Sequence, residues 1–296
     1  MNDPLLNVRE LSMGFERKSV FDGVSFSVAK GSVYLLMGRN GEGKTTLVRC
    51  IMGQLPARCG TATLEGRDTW RYREANMRKI AFVPESPRYA PSVRVEDLFR
   101  FLARVQPRWN RRAANERLAA MSIRQDALCD SLSRGQKTQL ALLTALASRP
   151  RLLVCDDPTL GLDPVAQKEL LDELIVELAE RQTTVFVTTH DLSTLGGIAD
   201  RLGILHQGSL IVDEPVDALR DRFRRLEFDS AEAALAAGPR VASMKPLTDV
   251  RKNLGDETVV SQYNDSSTLH GVRVGSLSLE EIFVALVKTR QEADDA

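Results

Sequence analysis

The sequence predicts an α/β fold, a parallel sheet covered by helices on both faces, with a small α+β unit appended at its C-terminal end. Three observations predict it. Short continuous apolar runs such as Val33-Tyr34-Leu35-Leu36-Met37 and Leu152-Leu153-Val154-Cys155 alternate with helical patterns, as strands buried on both faces do. One glycine-rich stretch, Gly38-Arg39-Asn40-Gly41-Glu42-Gly43-Lys44-Thr45-Thr46, lies between the first of those runs and a helical pattern opening at Leu47. Past about residue 220 the texture changes to short β-like runs followed by one amphipathic helix.

In chain order, residues 5–9 and 23–28 alternate apolar and polar with the period of half-buried strands. A turn at Ala29-Lys30-Gly31 leads into the apolar strand at 33–37, then the glycine-rich stretch and its helix. Residues 60–66 read as a short strand bounded by glycines, and 80–83 as a strand stopped by Pro84. From 85 to 150 the pattern is helical, with apolar residues at i, i+3, i+4 in 95–102 and 117–121 and a long helix over 138–147. Strands at 152–155, 184–188, 202–205 and 210–212 follow, with a helix at 165–180 after the first of them. In the last portion, 225–228, 240–244 and 258–263 read as short strands. Residues 278–288 read as a helix with Leu279, Ile282, Phe283 and Leu286 on one face, before an acidic tail at 291–296.

The 296 residues allow one large domain or two smaller ones. A net charge of +0 argues against nonspecific attraction to nucleic acid or to an anionic surface, so nucleic acid is not expected as a partner. The arginine blocks at 71–73, 108–112 and 220–225 read as solvated faces. No apolar run approaches the roughly 20 residues needed to cross a bilayer, and the N-terminal residues lack the pattern of a signal peptide. Cys50, Cys59, Cys129 and Cys155 show no C-x-x-C spacing and read as reduced thiols of a cytosolic protein.

Residues 38–46 have the Gly-x-x-x-x-Gly-Lys-Thr form in the strand–loop–helix setting that a phosphate-binding loop requires. Glycines let the backbone turn tightly and bring its N–H groups up to an anion, and the following helix adds its free N–H groups and positive dipole end. Lys44 can reach the β- and γ-phosphates and the Thr45 hydroxyl can ligate Mg²⁺. The stretch implies a bound nucleoside triphosphate. A second signal is Leu152-Leu153-Val154-Cys155-Asp156-Asp157-Pro158, where an apolar strand delivers Asp156 to the carboxyl edge of the sheet, the place of Mg²⁺ in such sites. The third is Leu132-Ser133-Arg134-Gly135-Gln136 at the head of an apolar helix. Ser133 there is an N-cap, and its hydroxyl and the neighbouring N–H groups also make an anion site.

With these three stretches in this order, the chain resembles the nucleotide-binding subunit of an ATP-binding-cassette (ABC) transporter, whose signature is Leu-Ser-Gly-Gly-Gln. The resemblance runs from about residue 5 to 221. It implies a P-loop NTPase cassette: a RecA-like core with an antiparallel β subdomain and a helical subdomain at about 85–150. The nucleotide-binding domain then spans 1–222, and 223–296 form a small C-terminal α+β domain. It also implies two such subunits, identical or different, facing head to tail around two ATPs. Ser133, Gly135 and Gln136 of one would cap the γ-phosphate held by residues 38–46 of the other. Phe15 lies where the family stacks an aromatic ring on adenine, with an ordinary core Phe as the alternative. His190, after the strand at 184–189, matches the switch histidine at the γ-phosphate. Gly161-Leu162-Asp163 matches the loop that communicates across the dimer, and Asp163 also suits the turn into the next helix.

Two departures from the family pattern bear on the chemistry. The family's general base, a Glu after the Mg²⁺ aspartate, is here Asp157. Its side chain is shorter by roughly 1.5 Å, and a misplacement of ~1 Å can cost ~100-fold in rate. Glu85, in Val83-Pro84-Glu85, stands where many members carry the Gln that faces the metal. Arg134 replaces the first signature Gly, with room for its side chain to point outward. The resemblance therefore implies catalytic roles for Asp157, His190 and Lys44, and Mg²⁺ contacts from Thr45, Glu85 and Asp156. It implies an ATPase on the cytoplasmic face of a membrane, driving a separate integral-membrane permease through the segment near 85–95. Val-Pro-Glu, Thr-Leu-Gly-Leu-Asp-Pro and the C-terminal Ser-Leu-Glu-Glu-Ile-Phe resemble ABC-2-type exporter ATPases of drug and antibiotic efflux. A hydrolysis-impaired regulatory subunit, and a soluble ABC ATPase outside transport, are the alternatives.

Overall fold

The computed structural model describes residues 3–16, 18–121, 123–245, 247, 257–263 and 271–294. The chain divides into two compact units, Met1–Asp213 and Glu214–Ala296. The sequence expectation placed a boundary after residue 222, whereas this division falls inside a strand, Ser209–Pro215.

The first unit begins with an antiparallel hairpin, β1 (Leu6–Phe15) and β2 (Lys18–Val28), longer than the two runs read from alternation. With β4 (Cys59–Leu64) and β5 (Arg67–Asp68) it forms a four-stranded sheet in the order β2-β1-β4-β5. The second sheet holds β3 (Val33–Met37), β6 (Ile80–Val83), β7 (Leu152–Asp156), β8 (Thr184–Thr189), β9 (Arg201–His206) and β10 (Ser209–Pro215). Their order is β10-β9-β3-β8-β7-β6, and the pairs β9-β3, β3-β8, β8-β7 and β7-β6 are all parallel. Every residue of β3, β7 and β8 is buried, which is why 33–37 and 152–155 read as unbroken apolar runs rather than alternating ones. An aromatic stack of Phe26, Tyr34 and Phe186, with ring centroids 4.8 and 5.5 Å apart, ties the hairpin sheet to the parallel one.

Helix α1 (Lys44–Ile51) packs Leu47, Val48 and Ile51 into this core, and a short α2 (Arg73–Met77) precedes β6. Between β6 and β7 lie α3 (Val95–Val105), α4 (Arg111–Ala120) and α5 (Arg134–Ala147). They have a core of their own in Val95, Phe99, Ala114, Leu118, Leu140 and Leu143. Helix α5 starts four residues before the expected 138, because Ser133 and Gln136 form a capping box that extends it. Helix α6 (Pro164–Arg181) is capped by Asp163, which accepts from the N–H groups of Val165 and Ala166.

In the second unit, α7 (Val216–Arg222) precedes β11 (Arg224–Phe228), the centre of an antiparallel sheet with β12 (Glu257–Val260) and β13 (Val272–Ser276). Helices α8 (Ala231–Ser243) and α9 (Leu279–Asp294) complete it. The strand expected at 240–244 is the end of α8. Six alanines behind a Ser230 cap favour helix strongly enough to absorb both Gly238 and Pro239, and Val241 packs with Leu226 and Phe228 from a helical face. No helix among the described residues is long and apolar enough to cross a membrane.

Candidate functional site

The glycine-rich loop leaves β3 and turns on two left-handed glycines, Gly41 (φ 88°) and Gly43 (φ 97°). A Cβ at Gly43 would stand 2.7 Å from Val20 Cγ1 and one at Gly38 would stand 2.8 Å from the Leu205 carbonyl, so the loop closes only with glycine there. Beside Gly41 the space is open. Gly43 caps α1 and supplies no side-chain acceptor, which leaves first-turn N–H groups for an anion. Arg39 and Asn40 are exposed, and Thr46 is half-buried in the first turn. Lys44 is buried and donates to the carbonyls of Gly38 (2.6 Å) and Arg39 (3.2 Å). Burial lowers its pKa, while Asp157, Asp156, Glu42 and Glu85 pull it back up.

Across from the loop, both oxygens of Asp156 are held: Thr45 Oγ1 donates to Oδ2 at 2.8 Å and Thr188 Oγ1 to Oδ1 at 2.5 Å. Asp157 turns out of β7 in the left-handed region, at φ 47°, with its N–H on the Thr188 carbonyl. Its Oδ2 lies 2.5 Å from His190 Nδ1, and its Oδ1 is buried with no hydrogen-bond partner. Burial raises the Asp157 pKa from its ordinary value of 3.8, His190 and Lys44 work against that rise, and Asp156 adds to it.

Lys44, Thr45, Asp156, Asp157 and His190 thus meet in one place, although the sequence spreads them over almost 150 positions. Glu85 is exposed just past β6, and its charge is felt at Lys44. Phe15, at the end of β1, is 52% exposed, which removes the core-residue alternative and leaves its ring free for stacking. Within the chain, Ser133 and Gln136 bond each other and their own helix rather than the glycine-rich loop. Gly135 faces Ala166 and Leu162. Arg134 is exposed as expected, yet its guanidinium lies over Gly161, where a Cβ would come within 2.3 Å of Nη1. Two residues outside the expected set belong to the site: Thr188, which clamps Asp156, and His206, beside Glu42. Both lie on strands whose apolar pattern masks a polar role.

The donor set fits a nucleoside triphosphate carrying a divalent cation. Among the described residues no cluster of three or more His, Cys, Asp or Glu side chains could hold a metal alone. The adjacent Thr45 hydroxyl and Asp156 carboxylate offer a partial set of hard oxygen ligands, which phosphate oxygens would complete.

A family profile described as "ABC transporter" matches residues 21–160. The chain is 30% identical over 224 residues to the ABC transporter ATP-binding protein YtrB of Bacillus subtilis (strain 168), covering 76% of each chain. It is also 30% identical over 232 residues to the bacitracin transport ATP-binding protein BcrA of Bacillus licheniformis, covering 77% of this chain and 76% of that one. A solved structure titled "Structure of ATP binding subunit of ABC transporter" superposes with a TM-score of 0.67 at 28% identity, over 73% of this chain and 92% of the other.

Proposed function

The chain belongs to the ABC transporter family, as one of its ATP-binding, ATP-hydrolysing subunits, and from that premise we propose how its site works and what it drives. Residues 38–46 bind the phosphates of ATP, with Lys44 on the β- and γ-phosphates and Phe15 against the adenine. Thr45, Asp156 and Glu85 would hold Mg²⁺, whose positive charge would offset that of the polyanion. Charge balance supports the ion: Lys44 is surrounded by the carboxylates of Glu42, Glu85, Asp156 and Asp157, a setting that repels a bare triphosphate.

The single observation that carries the catalytic reading is the Asp157–His190 pair. His190 fixes one carboxylate oxygen and leaves Oδ1 buried and unpartnered, the arrangement a base needs to receive a proton from an attacking water. The raised pKa brings its basicity closer to working pH. In a head-to-tail dimer, Ser133, Gly135 and Gln136 of a second subunit would complete the γ-phosphate's donors, so ATP closes the dimer and hydrolysis reopens it. The partner driven is a separate membrane permease, with this subunit on the cytoplasmic face. We take the cargo to be a toxic compound, which similarity to the bacitracin transport protein supports, and the direction of transport to be outward.

ATP turnover by the chain with its permease tests this. Turnover in the wild type that is abolished by Lys44→Ala supports a working motor. A hydrolysis-impaired subunit is favoured by one observation, the shorter Asp157 side chain already engaged by His190. Silence in the wild type with turnover restored by Asp157→Glu would establish that second reading instead.

A further inference from the structure

Glu42 places a carboxylate in the middle of a loop built to receive phosphate, between the left-handed glycines 41 and 43. Like charge at that point should weaken binding, and Glu42 is among the groups whose field reaches Lys44. The side chain turns instead to the junction of β9 and β10. Its Oε2 accepts the N–H of Gln207, and its Oε1 lies 3.2 Å from Nδ1 of His206. His206 is 4% exposed, and its Nε2 is buried without a hydrogen-bond partner, so the ring's polar contact is the one to Glu42. The same junction is tied to β2. Asp22 N–H donates to the Gly208 carbonyl at 2.9 Å, and a Cβ at Gly208 would stand 2.8 Å from the Val20 carbonyl. Val20 in turn closes on Gly43. Three separate segments therefore meet at the loop's apex, and Glu42 is the loop's own side chain in that junction.

We propose that Glu42 is a positioning residue for the phosphate loop: its two carboxylate oxygens pin the loop's apex to the β9–β10 turn through Gln207 and His206. The pin holds the left-handed Gly41 and Gly43 in the conformation that presents their N–H groups, and it directs the negative charge away from the phosphates. The inference rests on the reading of residues 38–46 as the ATP site.

Two effects of removing Glu42 have opposite signs, and this makes the inference testable. Losing a negative charge beside the phosphates tightens ATP binding, whereas losing the pin loosens it. The experiment is equilibrium binding of Mg²⁺-ATP to the full chain, with nucleotide-free thermal unfolding measured alongside. Glu42→Ala is expected to weaken binding about tenfold, the equivalent of one lost charge-assisted hydrogen bond. Glu42→Gln, whose amide can still accept from Gln207, should recover most of that loss. His206→Phe leaves the loop's sequence intact and should weaken binding in the same direction as Glu42→Ala, so the inference is testable even if Glu42→Ala fails to fold. Tighter or unchanged binding by Glu42→Ala overturns the proposal, as does equal weakening by Ala and Gln, because the hydrogen bond that Gln keeps to Gln207 would then contribute nothing to affinity. Wild-type protein that does not bind ATP, or binds it undiminished after Lys44→Ala, overturns the parent reading of the loop instead.

Discussion

Asp157→Asn should separate rate from stability. The substitution keeps the shape of the side chain and suits the left-handed backbone at φ 47°, which Asn tolerates as Asp does. What it removes is the charge that would take a proton. General-base catalysis is worth about 10²–10⁴ in rate, or about 2.7–5.5 kcal/mol of barrier. The stability side is nearly balanced. The charge-assisted contact of Oδ2 with His190 becomes a neutral one, a loss of about 1 kcal/mol. Against that, the protein no longer buries a carboxylate whose raised pKa shows that its ionised form is disfavoured there. The net change is about 1 kcal/mol or less, a Tm shift of roughly 2–4 °C for a domain of this size. Phosphate release by the assembled transporter and thermal unfolding of the isolated chain measure the two quantities. Turnover within tenfold of wild type would refute the base assignment. A Tm fall beyond about 8 °C together with lost turnover would make Asp157 a structural anchor instead.

The raised Asp157 pKa also fixes the sign of two pH effects. Turnover should fall as pH drops through the raised folded-state value, while Asp157's contribution to stability runs the other way, full below 3.8 and lost as pH rises from there through the raised folded-state value; a pH–rate profile and pH-dependent unfolding of wild type and Asp157→Asn check both. Gly43→Ala puts a Cβ at φ 97° and 2.7 Å from Val20 Cγ1, and should abolish ATP binding in a titration while costing about 1–2 kcal/mol in unfolding free energy. Glu177→Ala removes a wholly buried carboxylate that Arg117, Arg181 and Thr183 all contact; breaking such a buried pair costs about 3–5 kcal/mol, so Tm should fall on the order of 10 °C by calorimetry.

The phosphate loop was legible because its geometry is local. Two glycines, a lysine and a threonine at fixed spacing after an apolar strand determine nearly everything about residues 38–46. Asp156 was legible for a similar reason, since a strand that ends in a carboxylate delivers it to the sheet edge. The Glu42–His206 contact was not legible, because nothing local in either segment signals that they meet across 164 positions. Thr188 looked like one more β-branched residue in a buried strand, and only the pairing of β7 with β8 reveals its hydroxyl on Asp156. In the second unit, residues 240–244 read as a short strand, and the alanine-rich helix that begins at Ala231 runs on through Ser243. There the local signals conflict, and the packing of α8 against β11 decides.

The register of β8 explains why the chemistry assembles at all. It lies between β3, which launches the phosphate loop, and β7, which carries the two aspartates. Its alignment sets Thr189 beside Met37 on one side and Thr188 beside Asp156 on the other. The strands are parallel, so all three run out at the same edge, and residues just past their ends meet there: Lys44 and Thr45 from one, Asp157 from another, His190 from the middle. A slip of one residue would turn Thr188 to the opposite face and deprive Asp156 Oδ1 of its donor. That slip is opposed by Phe186, fully buried and stacked on Tyr34 at 5.5 Å and on Phe26 at 5.7 Å, because shifting β8 would break this stack and force the ring into the opposite, equally packed face. The precision of the Asp157–His190 contact is therefore inherited from an aromatic stack in the interior, and the polar site at the edge does not have to hold itself together.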